Sequence, residues 1–476
     1  MSNSRLGFSS KLGGLLAAAG SAIGVGNMWR FPTQLGQNGG SAFLLVYFLI
    51  IFVFGVPLLI SEFAIGRHSK ANVGNAYTVL APNSFWKYIG IASVTVAFVI
   101  FCYYNVVVAW VLFYAVDAVS TTFIQLGNSI TPDNPNPFAN HFTSFIANPW
   151  KPILCLFFVL AMIHTVIVLG VQKGIERTCK LLMPTLLILM ICLAAYAVTM
   201  PGAKQAYQFL FSPKFEEIDA NVIVSALGQC FYSFSIGMGI VTYASYFRRD
   251  VNIEKTAISV GLIDTFVAIL AGLVIFPAVF SVAGVSPSEG ASLVFVSLPN
   301  VFHSALHHMP FLSWLVSTAF YVILFLAAIT SCIFLHEVAT AFVYERTGLS
   351  RKKAATIITV GAFSIGCVAS LSMGPWSEYS VQSIFSLGEW ANNTFLAMNF
   401  FDFLDYVTAK IVLPLTGLGA ALFVGYGMTT HQLWYELTAQ NRYKFRWLHP
   451  FLFLVKYVIP VLIIGLMLIQ LLEIKF

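Results

Sequence analysis

One short stretch of an otherwise oily sequence gathers groups that could do chemistry. GSAIGVGNMWRFP, residues 20–32, places Gly20, Gly24 and Gly26 beside Ser21, Asn27 and Arg30 and closes on Pro32. A helix that only has to cross lipid needs none of these. Main-chain groups released from a helix at bilayer depth are tolerable only where they line a cavity or hold a ligand. Released carbonyls are hard oxygen ligands for a small cation. Released amides near Gly26, at the start of the outer half-helix, turn a positive dipole end toward an anion. One break can therefore hold a cation beside a carboxylate, and sodium with an amino-acid zwitterion fits that pair. A second stretch, GQCFYSFSIGMGIVTYASY, repeats the pattern: IGMG at 236–239 answers IGVG at 23–26. Either glycine pair alone would serve close helix packing equally well. Two of them at matching depth, each with polar neighbours, favour two broken helices. Other chemistries find no support. There is no nucleophile–base pair, and HEVAT at His336 lacks the second histidine of a zinc-protease helix.

The elements that must position these residues follow from composition. The 476 residues are 58% hydrophobic and 9% charged, with 44 Phe; soluble domains carry roughly 25% charged residues. This much apolar surface implies a polytopic, all-α membrane protein, with the lipid bilayer as its surroundings. The net charge of +6 does not point to nucleic acid, because the basic residues fall in short loops between apolar runs. The seven cysteines lie within apolar segments and lack metal-type spacing, so neither a disulfide nor a zinc site is expected. No cleavable signal peptide is expected, since the first apolar stretch runs on into Asn27 and Arg30. Spans of about 20 apolar residues are expected near 11–36, 41–66, 86–120, 150–170, 175–199, 221–247, 256–282, 311–345, 353–372, 400–428 and 448–473. An N-terminus in the cytosol puts 18 of the 25 Lys and Arg residues on the inner side and the C-terminus outside. NSITPDNPNPFANHF reads as an external connection and PNVFHSALHHM as a short external helix. The two glycine-broken spans are five apart and so run in opposite directions. That is the pattern of an inverted-repeat transporter, with 11–199 as the first repeat, 221–428 as the second and 448–473 as an added span in one domain, 1–476.

AAAGSAIGVGNMWRFP, QNGGSAFLLVYF, CYYNVVVAW, GQCFYSFSIGMG with TYASY, and LAAITSCIF resemble the neurotransmitter:sodium symporters, whose fold is the LeuT type: a 5+5 inverted repeat with discontinuous first and sixth helices. The resemblance runs from Arg5 to about Met428. It implies eleven helices here rather than the family's usual twelve, as in bacterial members. It also implies two sodium sites. One would use Ala22, Asn27, Ser233 and Asp264, completed by the substrate carboxylate. The other would use the carbonyls of Gly20, Ile23 and Ala327 and the hydroxyls of Thr330 and Ser331. The substrate carboxylate would take the Gly26 amide and the Tyr104 hydroxyl. Its ammonium would meet carbonyls around Ser21, Ala22 and Tyr232, near Ser233 and Ser235. Val25, Ile100, Tyr104, Ser235, Met238, Ser331 and Leu335 would wall the side-chain pocket.

Departures from the family pattern refine the expectation. Monoamine carriers have an aspartate where this chain has Gly24, which favours substrates that bring their own carboxylate. Chloride-dependent members hold chloride with a set of which Tyr47, Gln229 and Ser233 remain, while Asp264 and Ala268 replace an asparagine and a serine. A fixed carboxylate there stands in for chloride, and intramembrane acids cost about 2.5–3.5 kcal/mol on insertion scales. Tyr232 replaces a phenylalanine lid. The outer gate would pair Arg30 with Asp405, helped by Asp402 and Gln34. The inner gate would pair Arg5 with Glu345, supported by Tyr246 and Ser245, and Phe8 stands where tryptophan is common. Glu62 reads as a structural residue near the inner face, Asp117 as an outer-interface residue, and His336 with Glu337 as candidates for the exit path.

The resulting expectation is Na⁺-coupled import of neutral hydrophobic or aromatic L-amino acids by alternating access across a bacterial cytoplasmic membrane, with two sodium ions and no chloride. The alternative is a proton-coupled carrier of the same fold with Asp264 as proton site. Dimerisation is left open.

Overall fold

A computed structural model describes residues 7–131, 136–282, 293–306, 308–381 and 398–472. We number the candidate spans and half-spans in chain order. The first pair is α1 (Lys11–Ala22) and α2 (Val25–Gln37), bent by 57°. Then come α3 (Ser41–Ser69), α4 (Lys87–Val119), α5 (Lys151–Val168) and α6 (Val171–Ala197). The pair α7 (Ala220–Ser233) and α8 (Ile240–Ser245) follows. The last five are α9 (Ile253–Val279), α10 (Pro310–Thr347), α11 (Arg351–Ser372), α12 (Phe400–Gly427) and α13 (Leu448–Leu471). Among the described residues, nine helices are long and apolar enough to cross a membrane, and α1 with α2 makes a tenth when counted as one span. The expected span at 221–247 is the exception. Its two helices have 14 and 6 residues, and the turn between them leaves neither long enough alone.

Local sequence explains where these helices start and bend. Ser10 caps α1 by accepting the Gly13 amide at 3.0 Å, and Asp219 caps α7 through the Val222 amide at 2.8 Å. Asn252 and Asn399 cap α9 and α12 in the same way. Three helices widen into a π turn that ends two residues before a proline: Ile51–Gly55 before Pro57, Val407–Val412 before Pro414, and Leu454–Val458 before Pro460. A proline ring collides with the carbonyl four residues back and cannot donate a hydrogen bond. A widened turn absorbs both problems without breaking the span. The connections are more ordered than a loop reading implies. The Pro/Asn-rich segment contains a helix, Pro137–Ala147, and the expected short helix after α9 is present as Leu298–Ala305.

α4 and α10 pack along one another at the centre of the bundle, and α1 lies against α6, α9 and α10. Outward faces stay oily: Phe157, Leu181 and Val461 are exposed, as lipid requires. α8 packs against α3 at Gly66, where a Cβ would collide with the Val241 carbonyl and meet the Ala244 Cβ at 2.7 Å. Only glycine allows that approach.

The end of α3 is pinned by a buried charge cluster. Arg67 Nε donates to Glu436 Oε2 at 2.7 Å, and its other nitrogens reach the carbonyls of Val251 and Glu436. Arg249 and His68 contact Glu436 Oε1 at 2.8 and 3.0 Å. Burial alone would raise the Glu436 carboxyl. The His68 hydrogen bond, the Arg67 charge and hydrogen bond, and the Arg249 charge outweigh it and hold the group below its usual range. An acid whose folded value is depressed contributes stability above its unfolded value, about 4.3, and loses it as pH falls through the folded value. Glu436→Gln is therefore expected to cost about 3–5 kcal/mol at neutral pH. It is also expected to flatten the acid limb of thermal unfolding in detergent, where the unmodified protein loses stability below about pH 4.

Candidate functional site

The first break forms because two side chains take the amides that would have continued α1. The Gly24 N–H, which would close a bond to the Gly20 carbonyl, goes to Asn27 Oδ1 at 3.0 Å. The Val25 N–H, due to reach Ser21, goes to the Tyr104 hydroxyl at 3.1 Å. The coil stops for only Ile23 and Gly24 and resumes at Val25. Two released carbonyls are met from elsewhere in the chain: Ser235 Oγ donates to the Ser21 carbonyl at 2.8 Å and Ser331 Oγ to the Ile23 carbonyl at 3.0 Å. A Cβ at Gly26 would meet nothing within 4 Å, so its backbone faces open space.

The second break is longer and begins earlier than IGMG. α7 ends at Ser233, and residues 234–239 form turns before α8. Ser235, Gly237 and Gly239 adopt φ of 52°, 77° and 91°, the left-handed region that glycine enters without cost. The Gly237 amide donates to Glu62 Oε1 at 3.1 Å. Glu62, read as a structural residue near the inner face, thus holds this break. A lone acid in an apolar run carried no signal of its partner.

Between the breaks lies a cavity of about 530 Å³, part of it open. Of the expected pocket residues, Ser21, Ala22, Gly26, Ile100, Tyr104, Tyr232, Ser233, Ser235, Met238, Ser331 and Leu335 line it. Val25 does not; its side chain is buried and only its amide participates. Phe334 and Gln229 also line it, and neither was assigned to the substrate pocket from sequence. Their spacing held the clue, since Phe334 sits three residues after Ser331 and Gln229 four before Ser233 on the same helix faces.

Three of the four residues expected at the first sodium site, Asn27, Ser233 and Asp264, meet. Asn27 Nδ2 donates to Asp264 Oδ1 at 2.7 Å and to its carbonyl at 3.2 Å, and Ser233 Oγ donates to Asp264 Oδ2 at 2.8 Å. Asp264 is fully buried. The Tyr47 hydroxyl and Gln229 Oε1 are buried with no hydrogen-bond partner among the described residues. At the second site, Thr330 Oγ1 contacts the Ala327 carbonyl at 2.9 Å, and a Cβ on Gly20 would touch the Thr330 Cβ at 3.4 Å. That brings the end of α1 onto α10 where Ser331 reaches Ile23. Among the described residues no three His, Cys, Asp or Glu side chains gather. The donor set is hard and mostly neutral oxygen, suited to an alkali ion rather than a transition metal.

The outer gate differs from expectation. No direct ion pair between Arg30 and Asp405 occurs among the described residues. The Tyr232 ring stands between them, with the Arg30 guanidinium 4.4 Å from its centroid and its hydroxyl 3.4 Å from Asp405 Oδ1. Asp402 is occupied by the Asn399 cap and Gln34 by Gln37. On the opposite side Arg5 lies outside the described residues. Glu345 accepts from Asn72. Tyr246 donates to Glu337 at 2.5 Å, and Glu337 also pairs with Arg351. Ser245 bonds back to the Thr242 carbonyl. His336, suggested for an exit path, is held by Thr340 and Thr359, and Asp117 pairs with His141 at 2.7 Å.

Gly24 offers a sharp test of this geometry. A Cβ there would sit 2.7 Å from Ser331 Oγ and 3.1 Å from the Tyr104 hydroxyl. Gly24→Ala is expected to displace both groups and to weaken ligand binding at least tenfold, read by equilibrium binding to the purified protein, at a stability cost of about 1–3 kcal/mol.

Comparison with known proteins places this geometry. The Sodium:neurotransmitter symporter family matches residues 5–133 and 139–475. The chain is 33% identical over 458 residues to the uncharacterized sodium-dependent transporter YhdH of Bacillus subtilis, covering 96% of each. It is 30% identical over 299 residues to the sodium-dependent neutral amino acid transporter B(0)AT2 of Pongo abelii, covering 57% of this chain and 40% of that one. The crystal structure of MhsT in complex with L-phenylalanine superposes with a TM-score of 0.83 at 37% identity, covering 98% of this chain and 99% of the other. A broken first helix beside an oxygen-lined cavity, in a chain matched by this family along nearly its whole length, identifies the protein as a member of the Sodium:neurotransmitter symporter family with the LeuT-type fold, a sodium-dependent membrane transporter and not an enzyme.

Proposed function

We propose that the protein imports neutral hydrophobic or aromatic L-amino acids with two sodium ions and without chloride. The observation that carries this reading is the cavity itself. Main chain, Asn27 and Ser233 line it at the first break, with Asp264 bonded to both side chains behind them; Ile100, Met238, Phe334 and Leu335 supply apolar wall, and Arg30 is the charged side chain in the lining. A zwitterion suits the polar lining and an apolar side chain the apolar wall. MhsT, with L-phenylalanine bound, and the neutral amino acid transporters among the relatives support the same substrate class.

Chloride independence rests on Asp264. Oδ1 accepts from the Asn27 amide and Oδ2 lies 2.8 Å from the Ser233 hydroxyl, two partners able to hold a carboxylate. A fixed negative charge there balances sodium as chloride would. Sodium is favoured over the proton-coupled alternative by the sodium-dependent transporters among the relatives. In this reading α1–α6 and α7–α12 form the two inverted repeats, α13 is the eleventh span, and the N-terminus faces the cytosol of a bacterial cell. Each sodium crossing 100 mV supplies about 2.3 kcal/mol. Two ions would concentrate a neutral zwitterion more than a thousandfold, at about 1.4 kcal/mol per tenfold.

Proteoliposomes offered a mixed amino-acid panel test this. Uptake of phenylalanine- or leucine-like substrates is expected to need an inward sodium gradient and to survive replacement of chloride by gluconate. Uptake driven by a proton gradient with sodium absent would reject the reading. Asp264→Asn is expected to lower uptake more than tenfold, with partial recovery on adding chloride.

A further inference from the structure

We propose that the Tyr232 hydroxyl joins the lid over the substrate to the outer gate, making Tyr232 a positioning residue that closes both together. The inference rests on the reading of the cavity as a substrate pocket. Tyr232 lines that cavity and carries the Arg30 guanidinium on its ring, 4.4 Å from the centroid. Its hydroxyl lies 3.3 Å from the Tyr103 hydroxyl and 3.4 Å from Asp405 Oδ1. Tyr103 itself contacts Asp405 Oδ1 at 2.9 Å and Thr408 Oγ1 at 3.2 Å.

Proton accounting orders the chain. An ionised Asp405 can only accept, and the Thr408 proton goes to the Leu404 carbonyl at 2.7 Å. The Tyr103 proton therefore goes to Asp405. That leaves the Tyr103 oxygen to accept from Tyr232, whose proton Asp405 can share. One aromatic side chain thus touches the pocket below, the gate cation on its face and the gate acid at its tip. A phenylalanine would keep the first two contacts and lose the third. The two outer contacts exceed the usual 2.5–3.0 Å for hydroxyl donors, so the link is engaged but not yet tight. A shift of a few tenths of an ångström, with a ligand under the ring, would draw it shut.

The test uses full-length protein, with Tyr232→Phe, Asp405→Asn and the double variant. Dissociation of L-phenylalanine from the purified protein in sodium is expected to speed up about tenfold in each single variant, since a hydrogen bond to a charged group contributes about that factor. The double variant should be no faster than the faster single one. Tyr103→Phe should reproduce the effect if Tyr232→Phe folds poorly. Unchanged dissociation in Tyr232→Phe, or effects that multiply in the double variant, would overturn the link. Thermal unfolding of the same variants without ligand measures the coupling independently of the cargo: non-additive shifts support the link and additive shifts reject it. Failure of the substrate reading is distinct, because the unmodified protein would then bind no amino acid in sodium.

Discussion

A peptide group at bilayer depth must find a partner, and this molecule is built around two places where the helix stops providing one. The cost of an unmet amide or carbonyl in such surroundings is several kcal/mol. Each break is therefore matched by side chains from distant segments. Asn27 and Tyr104 receive the amides at the first, Ser235 and Ser331 address its carbonyls, and Glu62 receives an amide at the second. These partners come from α2, α4, the 234–239 turn, α10 and α3. The site is thus a junction that exists only when helices far apart in sequence have packed.

The same accounting explains why the site can release what it holds. Most contacts are neutral hydroxyls and carbonyls, each a modest interaction by itself. The carboxylate at the first break, Asp264, is already bonded by Asn27 and Ser233, so in the proposed reading it would meet a cation as an oriented group. Fixed partners of this kind reduce the ordering that binding must impose. The apolar wall of Ile100, Met238, Phe334 and Leu335 would add selectivity through shape.

Much of this was legible in the residues. Glycines at matching positions, with asparagine and serine beside them, disclosed both breaks, and the long ordered motifs disclosed the fold and nearly all of the pocket. What remained hidden were pairings that depend on which helix faces which. Glu62 gave no sign that Gly237 was its partner. Glu337, read only as an exit-path candidate, meets Tyr246 and Arg351. Arg30 and Asp405 were correctly placed in one region, but the extra hydroxyl of Tyr232 allowed an aromatic ring to stand between them. The extent of the second break was also hidden, because the left-handed Ser235 precedes the glycines that announce it.

The widened turn in α12 has a mechanical meaning. It spans Val407–Val412, directly between Asp405 and Pro414. Beyond it, the Leu413 carbonyl and Thr416 press against Gly237, so the inner part of α12 is wedged into the floor of the second break. A turn with an extra residue and a missing donor is the most compliant stretch of such a rod. The segment bearing Asp405 can then tilt while the segment beyond Pro414 stays put, and movement at the mouth need not loosen the cradle beneath it.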